Sequence, residues 1–557
     1  MQNSSGRKLA TISGERRPKT LTDAMVSRPE YAELRVALVN PPQTYPIYLG
    51  NEYQSYVPLG LAILGAVLRR MGVQVKIIDC LATDYMVVHR PNVTFGMTAQ
   101  QLEQELRAFA PQIVGVTNPF TCFIEDALRT ARLIKQLDPT IQVILGGVEP
   151  SLEPGNLELL NNEPALDVLV RAEGEITLCD LIAHYDPSIR AFHNLGEVEG
   201  IVFRTPTGPC STPKRPFISD LDELPLPAYD LLNLDQTYRN RFYARHRLRA
   251  KNARCLPIHT SRGCPYACVF CSVHSQVGKP NRRHSTAYVV RHMQHVMDTY
   301  GVRHFHFEDD NLTLHGPRAH ELFEAITPLG VSWDTPNGLR ADTITAELAQ
   351  KMAAAGARSV TIAVESGDQE VLDTIVKKNL ELADVRHAAR HLQQAGIPTI
   401  AFFIVGFPGE SQANVRTTLE FAKRLAIDYD TFNLLFVATP LPGTPLEVEC
   451  REKGYLLQAM NNETLLSAIR LNQTPLIATD DFTKQDLFCW AKEVLDTPEI
   501  ITIGEHMPFF FSSSARTRPS LRRLFGNPSL EHANLPPSYW RAPHNNPPSV
   551  LSQPVAA

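Results

Sequence analysis

Ser261-Arg-Gly-Cys264-Pro-Tyr-Ala-Cys268-Val-Phe-Cys271 decides the reading of this chain. The three cysteines, spaced CxxxCxxC, directly follow a short apolar run, Leu256–Thr260, that reads as a β-strand. A loop of this length can wrap three thiolates around three corners of an iron–sulfur cube and leave the fourth iron open to a small molecule. A cluster that only carried electrons would normally be closed by a fourth cysteine. The competing assignment is a Cys₃His zinc site completed by His259 or His274, but zinc sites usually come as paired Cys-x₂-Cys knuckles.

Working outward toward the C-terminus, the strand before the cysteines opens an alternating series. Strands are expected at Leu256–Thr260, His304–Glu308, Val331–Asp334, Ser359–Val364, Thr399–Val405 and Phe432–Val437. Helices fit Ala287–Tyr300, Pro317–Thr327, Ala346–Ala355, Asp384–Ala395 and Ser411–Leu425. Six such repeats are too few for a closed eight-stranded barrel and imply a partial (β/α)6 barrel, with reactive groups at the C-terminal strand ends.

Toward the N-terminus a second alternation precedes it. Apolar, β-branched runs at Leu34–Val39, Val75–Asp79, Ile113–Thr117, Gln142–Leu145 and Asp167–Val170 are separated by helix-like stretches. That pattern implies a parallel sheet covered on both faces, a Rossmann-like doubly wound parallel sheet. No GxGxxG is present, which argues against a nicotinamide. Small residues stand at its strand ends instead: Thr117, Gly146 and Gly147, with Ala172-Glu173-Gly-Glu175 after the fifth strand. They would let a flat, bulky ligand approach the backbone at the C-terminal edge, where open α/β sheets bind ligands.

The expected organisation is a disordered tail over 1–30, the doubly wound domain over 31–205, a Pro-rich then Arg-rich linker over 206–253 lying on a surface, the barrel over 254–440, a small helical C-terminal region over 441–500, and a mostly disordered Pro-, Asn- and Ser-rich tail over 501–557. The chain has 557 residues, 43% hydrophobic and 20% charged, with a formal net charge of -5. This is ordinary globular composition with no sign of a nucleic-acid surface. No apolar run approaches the length of a membrane span, and the N-terminus lacks an apolar signal region. Ten scattered cysteines without a signal peptide point to a reducing cytoplasm rather than a disulfide framework.

CxxxCxxC with Phe270 before the last cysteine resembles the radical S-adenosylmethionine (SAM) superfamily, and the resemblance extends over about Cys255 to Thr444. It implies a [4Fe–4S] cluster on Cys264, Cys268 and Cys271. It further implies that Glu308 contacts the SAM amino group, that Arg340 in Asn337-Gly-Leu-Arg340 pairs with the SAM carboxylate through its guanidinium fork, and that Glu365 and Ser366 contact ribose and methionine. Val405-Gly-Phe-Pro-Gly-Glu410 would lie along the adenine. Taken singly each has an ordinary reading as a turn or helix cap, but all fall at strand C-termini on the cluster face.

The N-terminal domain and Asp220-Leu-Asp-Glu-Leu-Pro-Leu-Pro-Ala-Tyr-Asp230 resemble the B12-dependent radical SAM class, which implies cobalamin at Thr117, Gly146, Gly147 and Glu173. The DxHxxG histidine of other cobalamin proteins is missing, since His89 follows Asp84 at the wrong spacing. The class implies an enzyme with [4Fe–4S], SAM and cobalamin as cofactors, transferring a methyl group to an unactivated carbon of a small-molecule substrate, with a flavodoxin or ferredoxin as electron donor. An oxidative cyclase or rearrangement enzyme of the same architecture is the alternative. A methylthiotransferase ranks lower because the early cysteines are not closely spaced, and a zinc-stabilised module because it needs the strand-end acids and Arg340 to be incidental.

Overall fold

The computed structural model describes residues 19–46, 55–153, 155–240, 243, 254–461, 464–466, 476–495 and 500–502. The expected N-terminal tail falls partly, the Arg-rich stretch of the linker largely, and the C-terminal tail almost wholly outside these residues.

The first sheet is built on β1 (Arg35–Asn40), β2 (Gln74–Asp79), β3 (Ile113–Asn118), β4 (Gln142–Gly147) and β5 (Val168–Val170), interleaved with α1 (Leu59–Arg70), α2 (Ala99–Phe109), α3 (Ile124–Leu137), α4 (Gly155–Asn162) and α5 (Glu175–Ala183). β6 (Ile201–Thr205) and β7 (Gly208–Ser211) add an antiparallel hairpin to give a seven-stranded sheet ordered β7-β6-β5-β4-β3-β1-β2. The first five strands run parallel. The order reverses between β1 and β3, the switch point at which an open sheet leaves a crevice. Both faces are covered: Val36 and Leu38 join one buried apolar cluster, Ala37 and Val39 another. A small antiparallel sheet of Gln43–Pro46, Met86–His89 and Asn92–Phe95 stands beside it. Both the hairpin and the small sheet escaped the sequence reading, since their strands are short and interrupted by Pro46, Pro91 and Pro209.

The second sheet runs β8 (Cys255–Ile258), β9 (His304–Phe307), β10 (Ser332–Asp334), β11 (Ala357–Glu365), β12 (Thr399–Val405), β13 (Phe432–Val437) and a short β14 (Ile500–Thr502), all parallel and in that spatial order. Helices α6 (Thr286–Tyr300), α7 (Gly316–Ile326), α8 (Ala346–Ala354), α9 (Leu382–Gln394) and α10 (Gln412–Tyr429) connect the strands. Side-chain caps fix their starts: Ser285, Thr345 and Ser411 each accept from a backbone N–H of the first turn. The sheet does not close on itself, as six repeats require.

The linker does not lie over a surface. Ile218, Leu221, Leu224 and Tyr229 are buried in the apolar cluster that continues from the first domain into the barrel. Ala228 N–H donates to the Ala62 carbonyl of α1, and the Tyr288 hydroxyl of α6 donates to Pro225 O. The prolines hold the segment extended while the apolar residues between them fill the joint.

Between β13 and β14 lie α11 (Pro445–Glu452) and α12 (Lys484–Leu495). Leu465, Leu466 and Leu476 pack with Tyr45, Phe95 and Phe123 of the first domain. The C-terminal region therefore returns to the small sheet near the chain's start.

Candidate active site

Two aspartates at the end of β9 build the entry to the cysteine loop. Asp309 accepts from Thr260 N–H (3.0 Å), the Thr260 hydroxyl (2.8 Å) and the Ser261 hydroxyl (2.6 Å). Asp310 accepts from Gly263 N–H at 2.8 Å. Gly263 sits at φ +91°, where a Cβ would collide with the Pro280 carbonyl, so no other residue fits at this turn. The Cys264 carbonyl meets His274 Nε2 at 2.9 Å, which gives His274 a backbone partner rather than a place in a zinc site. Val269 N–H donates to Val376 O, and Leu446 N–H donates to Val269 O, clamping the loop from two sides.

The three thiols are half-buried and unpaired. Burial pushes Cys271 up to about 11 and raises Cys268. Next to Cys268 lies Lys378, whose buried ammonium donates to Glu365 at 3.0 Å. Burial opposes this charge, but the Glu365 carboxylate outweighs it and holds Lys378 above the ordinary lysine value. Glu365 ends β11 with φ +71°, a conformation costly for a non-glycine residue and typical of a functional site. Three thiols, a strained carboxylate and a buried ammonium thus converge at the strand ends. This set fits a cluster with one open iron and a zwitterionic amino acid beside it.

Arg340 does not offer the fork expected of it. Its Nε and Nη2 donate to Asp342, Nη1 to Lys378 O (2.8 Å) and Nη2 to Asn379 O (2.7 Å). Its guanidinium lies 3.6 Å from the centre of the Tyr266 ring. Arg340 therefore braces the cysteine loop through Tyr266 and fixes the turn that carries Lys378. Ser366 is also committed, sharing a 2.9 Å hydrogen bond with Thr418 and accepting from Asp368 N–H. Glu308 stands at the mouth of the barrel, where burial raises its carboxyl. The Phe270 ring lies 6.0 Å from that of Phe407, which joins the cysteine loop to the Gly-Phe-Pro-Gly turn after β12. In that turn Glu410 accepts from Gly406 and Phe407 N–H, and burial pushes its carboxyl up to about 7.

At the C-terminal edge of the first sheet, Thr117 lies beside Gly146 and Asn118 beside Gly147. A Cβ at Gly146 would meet open space, whereas at Gly147 (φ +112°) it would strike the Asn118 carbonyl. Asp79 Oδ2 and Glu149 Oε2, at the ends of β2 and β4, are buried without a hydrogen-bond partner. Phe120, just past β3, is 53% exposed. A bare backbone edge, an exposed ring and two orphaned acceptors suit a broad, flat ligand that carries amide donors, as the corrin of cobalamin does. His89 is in the exposed hairpin strand and bonds Thr94, so it does not reach this edge.

Glu173, expected to touch cobalamin, is instead spent on the barrel. It accepts from Arg262 (2.9 Å), Arg282 (2.8 Å) and Ile218 N–H (2.8 Å). Arg262 also donates to Glu175 at 2.7 Å. Burial opposes the Arg262 charge, but Glu175 and Glu173 hold it above its ordinary value. Arg262 is two residues from Cys264, so the loop after β5 is tied directly to the cysteine loop. No local pattern announced Arg262, Arg282 or Lys378, because each acts through a partner distant in sequence.

The radical SAM superfamily model matches residues 258–422, and the B12 binding domain model matches residues 46–182. An uncharacterized methyltransferase of Pyrococcus horikoshii is 32% identical over 392 residues, 70% of this chain and 77% of that protein. The cytidylyl-2-hydroxyethylphosphonate methyltransferase of Streptomyces wedmorensis is 28% identical over 464 residues, 77% of this chain and 84% of that one. Among solved structures, the radical SAM methyltransferase TsrM of Kitasatospora setae, with cobalamin and a [4Fe–4S] cluster bound, shares the fold with a TM-score of 0.62 at 17% identity, covering 88% of this chain and 98% of its own. The chain belongs to the B12-binding-domain radical SAM enzymes. It is an enzyme whose cofactors are a [4Fe–4S] cluster, SAM and cobalamin.

Proposed function

We propose that this enzyme methylates an unactivated carbon of a small molecule held between the two strand-end edges. The observation that carries the reading is the Arg262–Glu173–Glu175 connection, which ties the cysteine loop to the strand-end loop of the cobalamin domain. When bound, the cluster and SAM supply a hydrogen-abstracting carbon radical and cobalamin supplies the methyl group.

Cys264, Cys268 and Cys271 hold three irons. Lys378, rather than Arg340, faces the SAM carboxylate, with Glu365 holding the ammonium in place. Glu308 accepts from the SAM amino group. Phe270 and Phe407 wall the adenine side, and Ser366 fixes the turn after Glu365. Thr117, Gly146 and Gly147 leave room for the corrin face, with Asp79 and Glu149 accepting from its amides.

A flavodoxin or ferredoxin delivers the electron, and a cluster carried on the three thiols Cys264, Cys268 and Cys271 suits a reducing cytoplasm as the setting. The Streptomyces wedmorensis relative, named for a cytidylyl phosphonate, supports the small-molecule class. Among the described residues no helix is long and apolar enough to cross a membrane.

The test is anaerobic reconstitution with iron, sulfide and hydroxocobalamin, then metal analysis, EPR and incubation with methyl-deuterated SAM. The expected result is ~4 irons and about one cobalt per chain, a reduced-cluster signal perturbed by SAM, and deuteromethyl label on the cobalamin. Iron without cobalt, or cobalamin that never takes the label, overturns methyl transfer.

A further inference from the structure

Apart from the cysteine loop, His304 and His306 of β9 and Asp334 of β10 form a buried cluster on adjacent barrel strands. One ligand atom from each lies within 4.8 Å of the others. His306 Nδ1 is 2.8 Å from Asp334 Oδ1, and His304 Nε2 is 3.2 Å from Asp334 Oδ2. The two imidazoles approach the carboxylate edge-on to one another, with ring planes 71° apart.

The protons of this cluster have two placements: His304 Nε2–H donating to Asp334, or the one set by Ser332. The Ser332 hydroxyl donates to Arg303 O at 3.3 Å, which uses its only hydrogen. In that orientation it accepts from His304 Nδ1, 2.9 Å away. This is the Nδ1–H tautomer of His304, which turns the bare Nε2 lone pair toward a carboxylate oxygen. In the Ser332-set placement two acceptors face each other at 3.2 Å, and a metal ion between them takes up both lone pairs. Ligating histidines commonly have this arrangement, the outer N–H held by a second partner and the inner nitrogen free for the ion.

We propose that His304, His306 and Asp334 bind a divalent transition-metal ion, zinc by the N₂O character of the donors. The site lies beneath β8–β10, beside Cys255, which is in register with His304. It joins two neighbouring strands of the barrel sheet, where His306 and Asp334 stand in register. The ion would stiffen the strands whose far ends carry Asp309, Asp310 and the cysteine loop.

The experiment uses the full chain purified anaerobically and dialysed against Zn²⁺ and then metal-free buffer, with zinc and iron counted by mass spectrometry. About one zinc per chain is expected, retained when Cys264, Cys268 and Cys271 are all replaced by alanine. His304→Ala and Asp334→Asn should lose the zinc and still accept a full complement of iron. Because either variant can fail to fold, the unaltered chain is also titrated with Co²⁺, where tetrahedral ligand-field absorption is expected and Zn²⁺ should displace it. Zinc that disappears with the three cysteines, or a chain that takes neither Zn²⁺ nor Co²⁺, overturns the proposal and leaves Asp334 simply bridging the two imidazoles by hydrogen bonds. A failure of cobalamin binding would not affect this result, so the two proposals fail separately.

Discussion

Arg262 donates to Glu173 across 89 residues of sequence, at 2.9 Å, and in doing so fastens the cysteine loop to the cobalamin domain. Two active-site halves that must cooperate on one carbon cannot drift apart, and this buried pair, reinforced by Glu175 and Arg282, sets their spacing. Removing one member leaves buried carboxylates without their cation.

Arg262→Ala should lower stability by about 3 kcal/mol, the usual loss on breaking a buried pair. The more telling readout is coupling. SAM cleavage to 5′-deoxyadenosine should persist while methylated product per cleavage falls. Unchanged coupling would reduce Arg262 to a purely structural role.

Lys378→Met should weaken SAM binding by roughly 10–100-fold, the loss of one charge-assisted hydrogen bond. Iron content should be unchanged, and Lys378→Arg should recover part of the affinity. Equilibrium binding of SAM to the reconstituted cluster, followed by EPR, checks this. The same assay on Arg340→Lys should show lower iron occupancy instead, because Arg340 braces Tyr266 in the loop.

Gly146→Leu and Gly147→Ala separate space from backbone. The first places its side chain in open space and should leave the melting temperature near that of the parent while abolishing cobalamin retention. The second forces a Cβ against the Asn118 carbonyl and should destabilise the fold itself by over 1 kcal/mol. Calorimetry and cobalt content distinguish them.

Glu410 gives a pH signature. Its carboxyl stands at about 7 in the folded chain against 4.5 when unfolded. A raised value means the contribution is fully present below 4.5 and is lost as pH rises through about 7. Glu410→Gln removes the penalty of ionising a buried carboxyl, so its stability relative to the parent should rise between pH 5 and pH 8, by up to about 3 kcal/mol. Thermal melts at those two pH values are the check, and a constant difference would sink the assignment.

The cysteine loop, both parallel sheets and the strand-end landmarks were readable because each rests on local signals: thiol spacing, apolar runs of strand length, and small residues where the backbone must be bare. What escaped was long-range. Glu173 reads as a ligand-edge residue until Arg262 and Arg282 come alongside. Arg340 reads as a carboxylate fork, but Asp342, two residues on, competes for it. Lys378 sits in an unremarkable Lys-Lys-Asn run, and only folding buries it against Glu365. The linker misled because proline and charge usually mean surface, while its leucines were the better guide.

The packing of Leu465, Leu466 and Leu476 on Tyr45, Phe95 and Phe123 has a consequence for biogenesis. During synthesis the first domain emerges hundreds of residues before the leucines that finish one of its apolar clusters. Until they leave the ribosome, that flank stays exposed to water. That apolar cluster of the cobalamin domain is thus completed by a segment made late.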